Sequence, residues 1–259
     1  MANNTYYWEN KLERSKKAKI WTDKMEYENS DLIYKSVKET KLYTYALDTP
    51  VEKTDEQNIH LMDTDTVSAI CYLAEQGVEG KMAALNFASF KNPGGMFLKG
   101  SRAQEECLCH ESFLFNVLCR FEKYYYEENR KHLNKSMYEN RALYTPDIHF
   151  YRDQYDVLCD VITCAAPNFS AGNKYCGVTR EYNDDALRKR IRFIMYIAKD
   201  NGVKNLILGA YGCGVFGQNP NTVADIMQEA LKEYKFENVI FAIPNKNDSN
   251  YKAFAEVFK

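Results

Sequence analysis

A short acidic cluster follows a glycine-containing loop in the first half of the chain. Residues 92–106 read Asn-Pro-Gly-Gly-Met-Phe-Leu-Lys-Gly-Ser-Arg-Ala-Gln-Glu-Glu, and Glu105 and Glu106 stand where a helix is predicted to begin. Neighbouring carboxylates repel, and partial burial raises the pKa of such a group, which suits a general acid or base. Because adjacent residues point in different directions, we expect one carboxylate to do chemistry and the other to position the substrate. The alternative is a solvated helix start, favoured by the helix dipole.

A second glycine-rich loop lies near the C-terminus. Residues 209–217 read Gly-Ala-Tyr-Gly-Cys-Gly-Val-Phe-Gly, between a predicted strand and a predicted helix. Only one predicted strand follows, and no acidic residue ends it, which argues against a dinucleotide-binding Rossmann domain. Bare main-chain N–H groups beside a helix N-terminus can still cradle a diphosphate, with Phe216 against a sugar or base. The alternative is a tight turn with Phe216 packed in the core.

The elements that must position these loops alternate between strand and helix. Strands are predicted at 41–46, 59–62, 81–87, 156–165, 205–210 and 238–243. Helices are predicted at 9–27, 67–76, 104–121, 180–199, 221–234 and 250–258, whereas 122–143 has no assignment. This alternation predicts an α/β sheet covered by helices on both faces. Both loops follow strands, at the sheet edge where ligands bind in such folds.

Composition limits the function classes. The chain has 259 residues, with 34 Lys and Arg against 36 Asp and Glu, and the formal net charge of −2 excludes strong nucleic-acid binding by bulk charge. It has no apolar run long enough to span a membrane and no apolar N-terminal signal, so we expect a cytoplasmic protein without membrane contact. We expect its eight cysteines to be reduced thiols with packing roles.

The two loops together resemble the poly(ADP-ribose) glycohydrolase family, most closely its microbial-type members. That family's signature is Gly-Gly-Gly, a short spacer and Gln-Glu-Glu; here Gly-Gly-Met at 94–96 precedes a seven-residue spacer and Gln-Glu-Glu at 104–106. Residues 209–217 resemble the family's diphosphate-binding loop. The resemblance implies a macrodomain-like mixed sheet flanked by helices on both faces, with an N-terminal helical accessory segment. We expect this segment over 1–58 and the catalytic domain over 59–259.

The implied activity is hydrolysis of ribose–ribose O-glycosidic bonds in poly(ADP-ribose), which releases ADP-ribose. Glu106 matches the family's catalytic glutamate, the general acid and base, and Glu105 would hold a ribose hydroxyl. A single dual-role carboxylate departs from the usual two-carboxylate glycosidases. The resemblance implies further substrate-binding residues, with the last two placed at the adenine by macrodomain analogy: Asn92, Gly94, Gly95, Gln104, Gly212, Cys213, Gly214, Val215, Phe216, Asp65 and Ile243.

Met96 departs from the family pattern, because it stands where the third glycine is usual. A side chain there would narrow the pocket or shift the loop. Two alternatives therefore stay open: an ADP-ribosyl hydrolase acting on modified DNA or protein side chains, and a non-catalytic ADP-ribose-binding module. The expected partners are ADP-ribose, poly(ADP-ribose) or ADP-ribosylated macromolecules, with nucleic acid only if it is ADP-ribosylated. We expect a monomer that needs no cofactor.

Other reactive residue types are better explained without chemistry. Cys107, Cys109 and His110 lack the usual spacing of a zinc site and have no evident partner pair, so no metal is expected. Tyr124, Tyr125 and Tyr126 could stack on nucleic-acid bases, but the flanking glutamates favour a surface helix or a partner contact.

Overall fold

The computed structural model describes residues 10–46 and 57–258. Its centre is a seven-stranded mixed sheet with the order β1-β4-β5-β3-β6-β7-β2. The strands are β1 (Lys41–Tyr43), β2 (Asn58–Met62), β3 (Lys81–Phe87), β4 (Ala142–Arg152), β5 (Tyr155–Cys164), β6 (Val203–Leu208) and β7 (Asn238–Ala242). Strand β4 is antiparallel to β1 and β5, and the remaining neighbours are parallel. The carboxyl ends of β3, β6, β7 and β2 therefore meet at one edge.

Helices cover both faces of this sheet, as the sequence predicts. They are α1 (Lys11–Glu28), α2 (Ser30–Glu39), α3 (Thr66–Glu75), α4 (Gln104–His110), α5 (Leu114–Cys119), α6 (Phe169–Cys176), α7 (Arg180–Asp200), α8 (Pro220–Glu233) and α9 (Ser249–Val257). Shorter turns lie at Phe97–Lys99, Glu122–Tyr126, Glu127–Asn129 and Asn134–Ser136. No helix within the described ranges is long and apolar enough to cross a membrane.

The core lies on the two faces of the sheet because strand side chains alternate. In β3, Ala83 and Leu85 pack with α7 and α8, whereas Ala84 packs on the other face with α3, α4 and α5. Strand β6 divides in the same way, with Leu206 on the first face and Ile207 on the second. All five side chains are fully buried. The near-continuous apolar runs in the sequence therefore correspond to strands whose two faces are both covered.

Side-chain caps fix where several helices begin. Asp65 accepts the N–H groups of Val67 and Ser68 at the start of α3, which is the helix start predicted from the sequence. Asn219 caps α8, with Pro220 in its first turn. Because these caps follow strands β2 and β6, they hold the helix N-termini at the ligand-binding edge of the sheet.

The single helix predicted over 104–121 is wrong, because the chain forms two helices, α4 and α5. Ser112 separates them: its Oγ donates to Leu108 O across 2.7 Å and accepts the N–H of Leu114 across 3.1 Å. Ser112 also bridges Phe150 of β4. The side-chain hydroxyl competes with the helical hydrogen bonds, so the chain turns. Cys119, the last residue of α5, is exposed.

The sequence-based interpretation missed strand β4 and helices α2 and α6. Strand β4 pairs along most of β5 but shifts register between Thr145 and Ile148. Pro146 and Asp147, which has a φ of +56°, occupy the irregular step. The alternation of apolar and polar residues is broken there, which hid the strand.

The N-terminal helices pack on the same face as α3, α4 and α5. Strand β1 then joins the sheet edge beside β4, so the N-terminal segment shares the sheet with the rest of the chain. Residues 1–9 and 47–56 of the expected accessory segment lie outside the described residues. The division at residue 58 stays a prediction.

Candidate active site

Gln104 attaches the start of α4 to the end of β3. Its Oε1 accepts the N–H of Phe87 across 2.8 Å, and its Nε2 donates to Leu85 O across 2.9 Å and to Thr66 Oγ1 across 3.1 Å. Both amide hydrogens therefore bind protein atoms. Gln104 lines the pockets described below, but its hydrogen bonds fit a positioning role rather than the substrate contact expected from the sequence.

The side-chain carboxylates of Glu105 and Glu106 both lie beside Gly95. A Cβ added to this glycine would lie 2.5 Å from Glu106 Oε1 and 2.9 Å from Glu105 Oε2, and its φ is +59°. Both side chains are buried, with 2% and 5% exposure for Glu105 and Glu106. The expectation that they point in different directions is therefore wrong, since the loop folds over α4 and both carboxylates approach one point. Only glycine fits this position without strain.

Glu105 is held on both oxygens. Its Oε2 accepts the N–H of Ser89 across 2.7 Å, and its Oε1 accepts the Asn86 amide across 3.3 Å. Burial raises the pKa of Glu105 to about 8, and the neighbouring Glu106 adds to the rise, while the Asn86 amide and the N–H groups of Ser89 and Gly94 oppose it. At neutral pH this pKa favours the protonated form, which can donate a hydrogen bond.

Glu106 is held on one oxygen. The N–H of Met96 donates to Oε1 across 2.8 Å. The other oxygen, Oε2, is buried and has no hydrogen-bond partner among the described residues. A buried polar atom without a partner is costly, and such atoms often mark a place that a ligand or water completes. The two carboxylates therefore differ: both oxygens of Glu105 accept hydrogen bonds, whereas only one oxygen of Glu106 does among the described residues.

Met96 causes no backbone strain in place of the third glycine. Its φ of −112° and ψ of 30° need no glycine. Its side chain is 42% exposed and lines the pocket mouth. The sequence-based concern that a side chain here shifts the loop is therefore not supported by the backbone, although the side chain does occupy part of the pocket wall.

The second glycine loop faces the glutamates across a pocket of about 410 Å³. The main-chain N–H groups of Gly214, Val215 and Phe216 have no hydrogen-bond partner among the described residues. Gly214 and Val215 are exposed, so these donors are accessible to an anion. Cys213 differs from expectation: its N–H donates to Ala210 O across 3.2 Å, and the residue does not line the pocket.

The pocket gathers most of the residues singled out in the sequence. Its walls include Asn92, Gly95, Gln104, Glu105, Glu106, Gly212, Gly214, Val215 and Phe216. Gly94 is buried behind the loop instead, where an added Cβ would lie 2.6 Å from the Phe115 ring, so it does not face the ligand space. Its role is close packing, because the loop passes directly over α5.

A neighbouring pocket of about 370 Å³ contains Asp65 and Ile243, the two residues expected at the adenine. Phe87, Gln104 and Ala210 line both pockets, which makes them adjoining parts of one groove. This groove runs along the carboxyl ends of the central strands, as expected for ligand sites in α/β sheets.

Arg152, which the sequence interpretation did not identify, holds Asp65 in place. Its guanidinium lies 2.8 Å and 2.9 Å from the two Asp65 oxygens and also forms a bidentate pair with Glu111 at the end of α4. Arg152 ends the strand that was missed, so no local sequence signal connects it with Asp65.

An aromatic cluster supports the second loop. Tyr138 stacks on Phe90 with ring centroids 4.2 Å apart and meets Phe216 edge-on at 6.3 Å. The buried Arg190 donates to Tyr138 O and Glu139 O, each across 3.0 Å, and so fixes this segment. Tyr138, within the stretch 122–143 that was unassigned from sequence, therefore supports the Phe216 side of the pocket wall.

The cysteines near the site are not poised for reaction. All eight are free, and burial raises the pKa of Cys107 and of Cys213 to about 12, so both are thiols at neutral pH. Within the described ranges, no group of three or more His, Cys, Asp or Glu residues is arranged to hold a metal ion.

Comparisons with known proteins point to one family. The family model described as the microbial-type PARG catalytic domain, where PARG is poly(ADP-ribose) glycohydrolase, matches residues 9–153. This match includes the N-terminal helices, which belong to the accessory segment that the resemblance implied. No curated protein sequence matches the chain.

Solved structures agree over nearly the whole chain. Poly(ADP-ribose) glycohydrolase from Thermomonospora curvata is 26% identical with a TM-score of 0.82, and the match covers 95% of this chain and 99% of that one. The same enzyme bound to the inhibitor ADP-HPD gives a TM-score of 0.80 at 26% identity, covering 94% and 98%. The Deinococcus radiodurans enzyme in complex with ADP-ribose is 29% identical with a TM-score of 0.77, covering 88% and 97%. Since the family model also matches more than half of the chain, this protein belongs to the microbial-type poly(ADP-ribose) glycohydrolase family.

Proposed function

We propose that this protein hydrolyses the ribose–ribose O-glycosidic bonds of poly(ADP-ribose) and releases ADP-ribose, with Glu106 as the general acid and base. The observation that carries the proposal is the unpartnered Oε2 of Glu106, buried in a pocket between two glycine loops. Family membership and the ligands of the matched structures, ADP-ribose and ADP-HPD, support the substrate class.

The groove suits an elongated ligand with a purine at one end. Asp65 and Ile243 lie in the part that would take the adenine, and the accessible N–H groups of Gly214 and Val215 would bind the diphosphate. Phe216 would pack on the distal ribose, beside Asn92 and Gly95. Main-chain N–H groups beside a helix N-terminus can bind such an anion without a basic side chain in direct contact with it.

The reaction then needs one proton donor that also acts as an acceptor. Glu106, in its acid form, gives its proton to the departing ribose oxygen as the bond from that oxygen to the anomeric carbon breaks. The electron pair stays on the oxygen, and the anomeric carbon becomes oxocarbenium-like. The carboxylate then takes a proton from water, whose oxygen bonds to the anomeric carbon, so the acid form is restored.

Glu105 would hold the ribose rather than exchange protons. Its two oxygens already accept hydrogen bonds from Ser89 and Asn86, so its position is fixed. Burial raises its pKa to about 8, which favours the protonated form at neutral pH, and the hydroxyl of that form can donate to a ribose oxygen. A neutral neighbour also avoids a second negative charge beside the Glu106 carboxylate.

A panel of linkages tests this function. Purified protein is incubated separately with poly(ADP-ribose), with a protein carrying mono-ADP-ribose on its side chains and with ADP-ribosylated DNA, and free ADP-ribose is measured by chromatography. The proposal predicts release from the polymer that exceeds the other two. Release only from DNA or from protein side chains would replace the polymer as substrate, and tight ADP-ribose binding without any release would identify a binding module.

A further inference from the structure

We propose that Arg14 of helix α1 is a positioning residue for catalysis, acting through the loop whose Met96 N–H holds Glu106. The inference rests on the proposed function, because it concerns the same carboxylate. It assigns a role to the N-terminal helix that neither the signature motifs nor the pocket walls indicate.

Two side chains of helix α1 donate hydrogen bonds to the turn that follows Met96. Arg14 is buried, with only 6% exposure, and its Nε donates to Gly100 O across 2.7 Å. The next residue, Ser15, donates from Oγ to Leu98 O across 2.7 Å. These are contacts between residues more than 80 positions apart in the chain, and together they satisfy two carbonyl groups of the turn.

The turn and the helix are fitted to each other at the backbone. Gly100 has a φ of +74°, and a Cβ added there would overlap the carbonyl oxygen of Lys11. Any other residue would push the loop away from α1 or require α1 to move. Gly100 therefore marks a close approach of two main chains as well as a left-handed turn position.

The contact reaches Glu106 through a short hydrogen-bonded turn. The N–H groups of Lys99 and Ser101 donate to Met96 O across 3.0 Å and 3.2 Å, and Gly100 N–H donates to Phe97 O across 2.9 Å. A shift of Gly100 therefore moves Met96, whose N–H lies 2.8 Å from Glu106 Oε1.

The same helix also contacts the far end of α4. The Trp21 indole N–H donates to Ser112 O across 2.8 Å, just beyond the last residue of the helix that carries Glu106. Helix α1 therefore holds the loop before α4 and the joint after it. Without Arg14, we expect the loop to loosen around Met96. Asp65, Ile243 and the second glycine loop lie on other elements, and Gln104 is anchored to β3, so we expect the adenine and diphosphate parts of the groove to keep their shape.

The test compares four single variants with the wild type. Arg14→Met removes the donor to Gly100, whereas Arg14→Lys keeps the positive charge and a single donating ammonium group in place of the guanidinium. Ser15→Ala removes the milder contact to Leu98. The matched control is Arg120→Met. This change breaks an exposed ion pair between Arg120 and Glu26, and Glu26 lies on α1 as Arg14 does. For each variant we would measure kcat, KM, the Kd for ADP-ribose, the thermal unfolding midpoint and amide hydrogen exchange over 96–101.

The proposal predicts that Arg14→Met lowers kcat by roughly tenfold to a hundredfold, because small misplacements of a reacting group cost rate. ADP-ribose Kd should stay within about twofold, because Asp65, Ile243 and the second glycine loop, which would bind adenine and diphosphate, do not contact Arg14. Exchange over 96–101 should rise, Arg14→Lys should recover part of the rate, and Arg120→Met should match the wild type.

Two results would overturn it. One is a wild-type kcat in Arg14→Met. The other is a loss of kcat accompanied by an equal loss of ADP-ribose affinity, which would mean general destabilisation. If Arg14→Met does not fold, Ser15→Ala decides by the same criteria. An inactive wild type would refute the proposed function instead, and hydrogen exchange in the variants would then still test whether Arg14 holds the loop.

Discussion

The main-chain N–H of Met96 lies 2.8 Å from Oε1 of Glu106 and donates a hydrogen bond to it. The residue that breaks the family's Gly-Gly-Gly pattern is thus the one whose backbone orients the proposed catalytic carboxylate. Because this contact uses the main chain, the side-chain change at position 96 does not remove it. The other oxygen of Glu106 stays available to a substrate.

Replacement of Glu106 by Gln should abolish turnover and spare binding. The amide keeps the size of the side chain and can still accept the Met96 N–H, but it cannot donate and then take up a proton. We expect kcat to fall by about 10²-fold to 10⁴-fold, the usual contribution of a general acid or base. ADP-ribose release from polymer and ADP-ribose Kd by calorimetry check this. Turnover within a few-fold of wild type would remove Glu106 from the mechanism.

Glu105→Gln should change how stability depends on pH. Burial raises the folded-state pKa from 4.5 to about 8, so the wild type loses stability as pH rises through this window, by at most about 1.4 kcal/mol per pH unit. Below the window both states hold the proton and the stabilisation is fully present. The glutamine variant does not titrate, so its free energy of unfolding relative to wild type should rise with pH.

Urea unfolding at several pH values across that window measures the difference. Glu128→Gln serves as a control, because the Glu128 side chain is partly exposed and forms a surface ion pair with Lys131. Parallel pH profiles for wild type and Glu105→Gln would show that Glu105 has an ordinary pKa, and its role as a neutral hydrogen-bond donor would then be lost.

Met96→Gly should leave turnover nearly unchanged. The backbone of Met96 has a negative φ, so glycine relieves no strain, and the N–H to Glu106 is kept. We expect stability to fall by about 0.5–1 kcal/mol because glycine is more flexible in the unfolded chain. Steady-state kinetics and thermal unfolding test both statements. A rise of tenfold or more in kcat/KM would mean that the Met96 side chain obstructs the pocket.

Two glycines of the second loop should respond differently to alanine. Gly212 has a φ of +75°, and an added Cβ would lie 2.8 Å from Ala166 Cβ, so Gly212→Ala should cost about 1–3 kcal/mol of stability. At Gly214 an added Cβ meets nothing within 4 Å, so Gly214→Ala should fold normally. Its methyl group would stand beside the exposed N–H groups and lower ADP-ribose affinity by about tenfold, or 1.4 kcal/mol.

Thermal unfolding and calorimetry with ADP-ribose separate these effects. An unchanged Kd in Gly214→Ala would count against this loop as the diphosphate site. An unchanged midpoint in Gly212→Ala would show that the loop relaxes around the new methyl group.

Local sequence patterns predicted most strands of the sheet but few of the elements that form the wall of the pocket. Strand β3 was predicted with its observed bounds because it is a short apolar run between turn signals. Helix α7 was predicted to within a residue because its cap and its apolar spacing are both local. Strand β4 was missed because its irregular step at Asp147 is stabilised by β5 and not by its own sequence.

The sequence by itself determined which groups are available: two adjacent glutamates after one glycine loop, and a second glycine loop between a strand and a helix. These follow from local rules, since caps, strand runs and loops depend on near neighbours. The tertiary structure decided how they act, because it brings together groups far apart in the chain. Both glutamate carboxylates lie beside Gly95. The N–H of Cys213 donates to Ala210 O, and Arg14 donates to Gly100 O, 86 positions further along the chain. Such contacts depend on packing, and packing is a property of the whole fold.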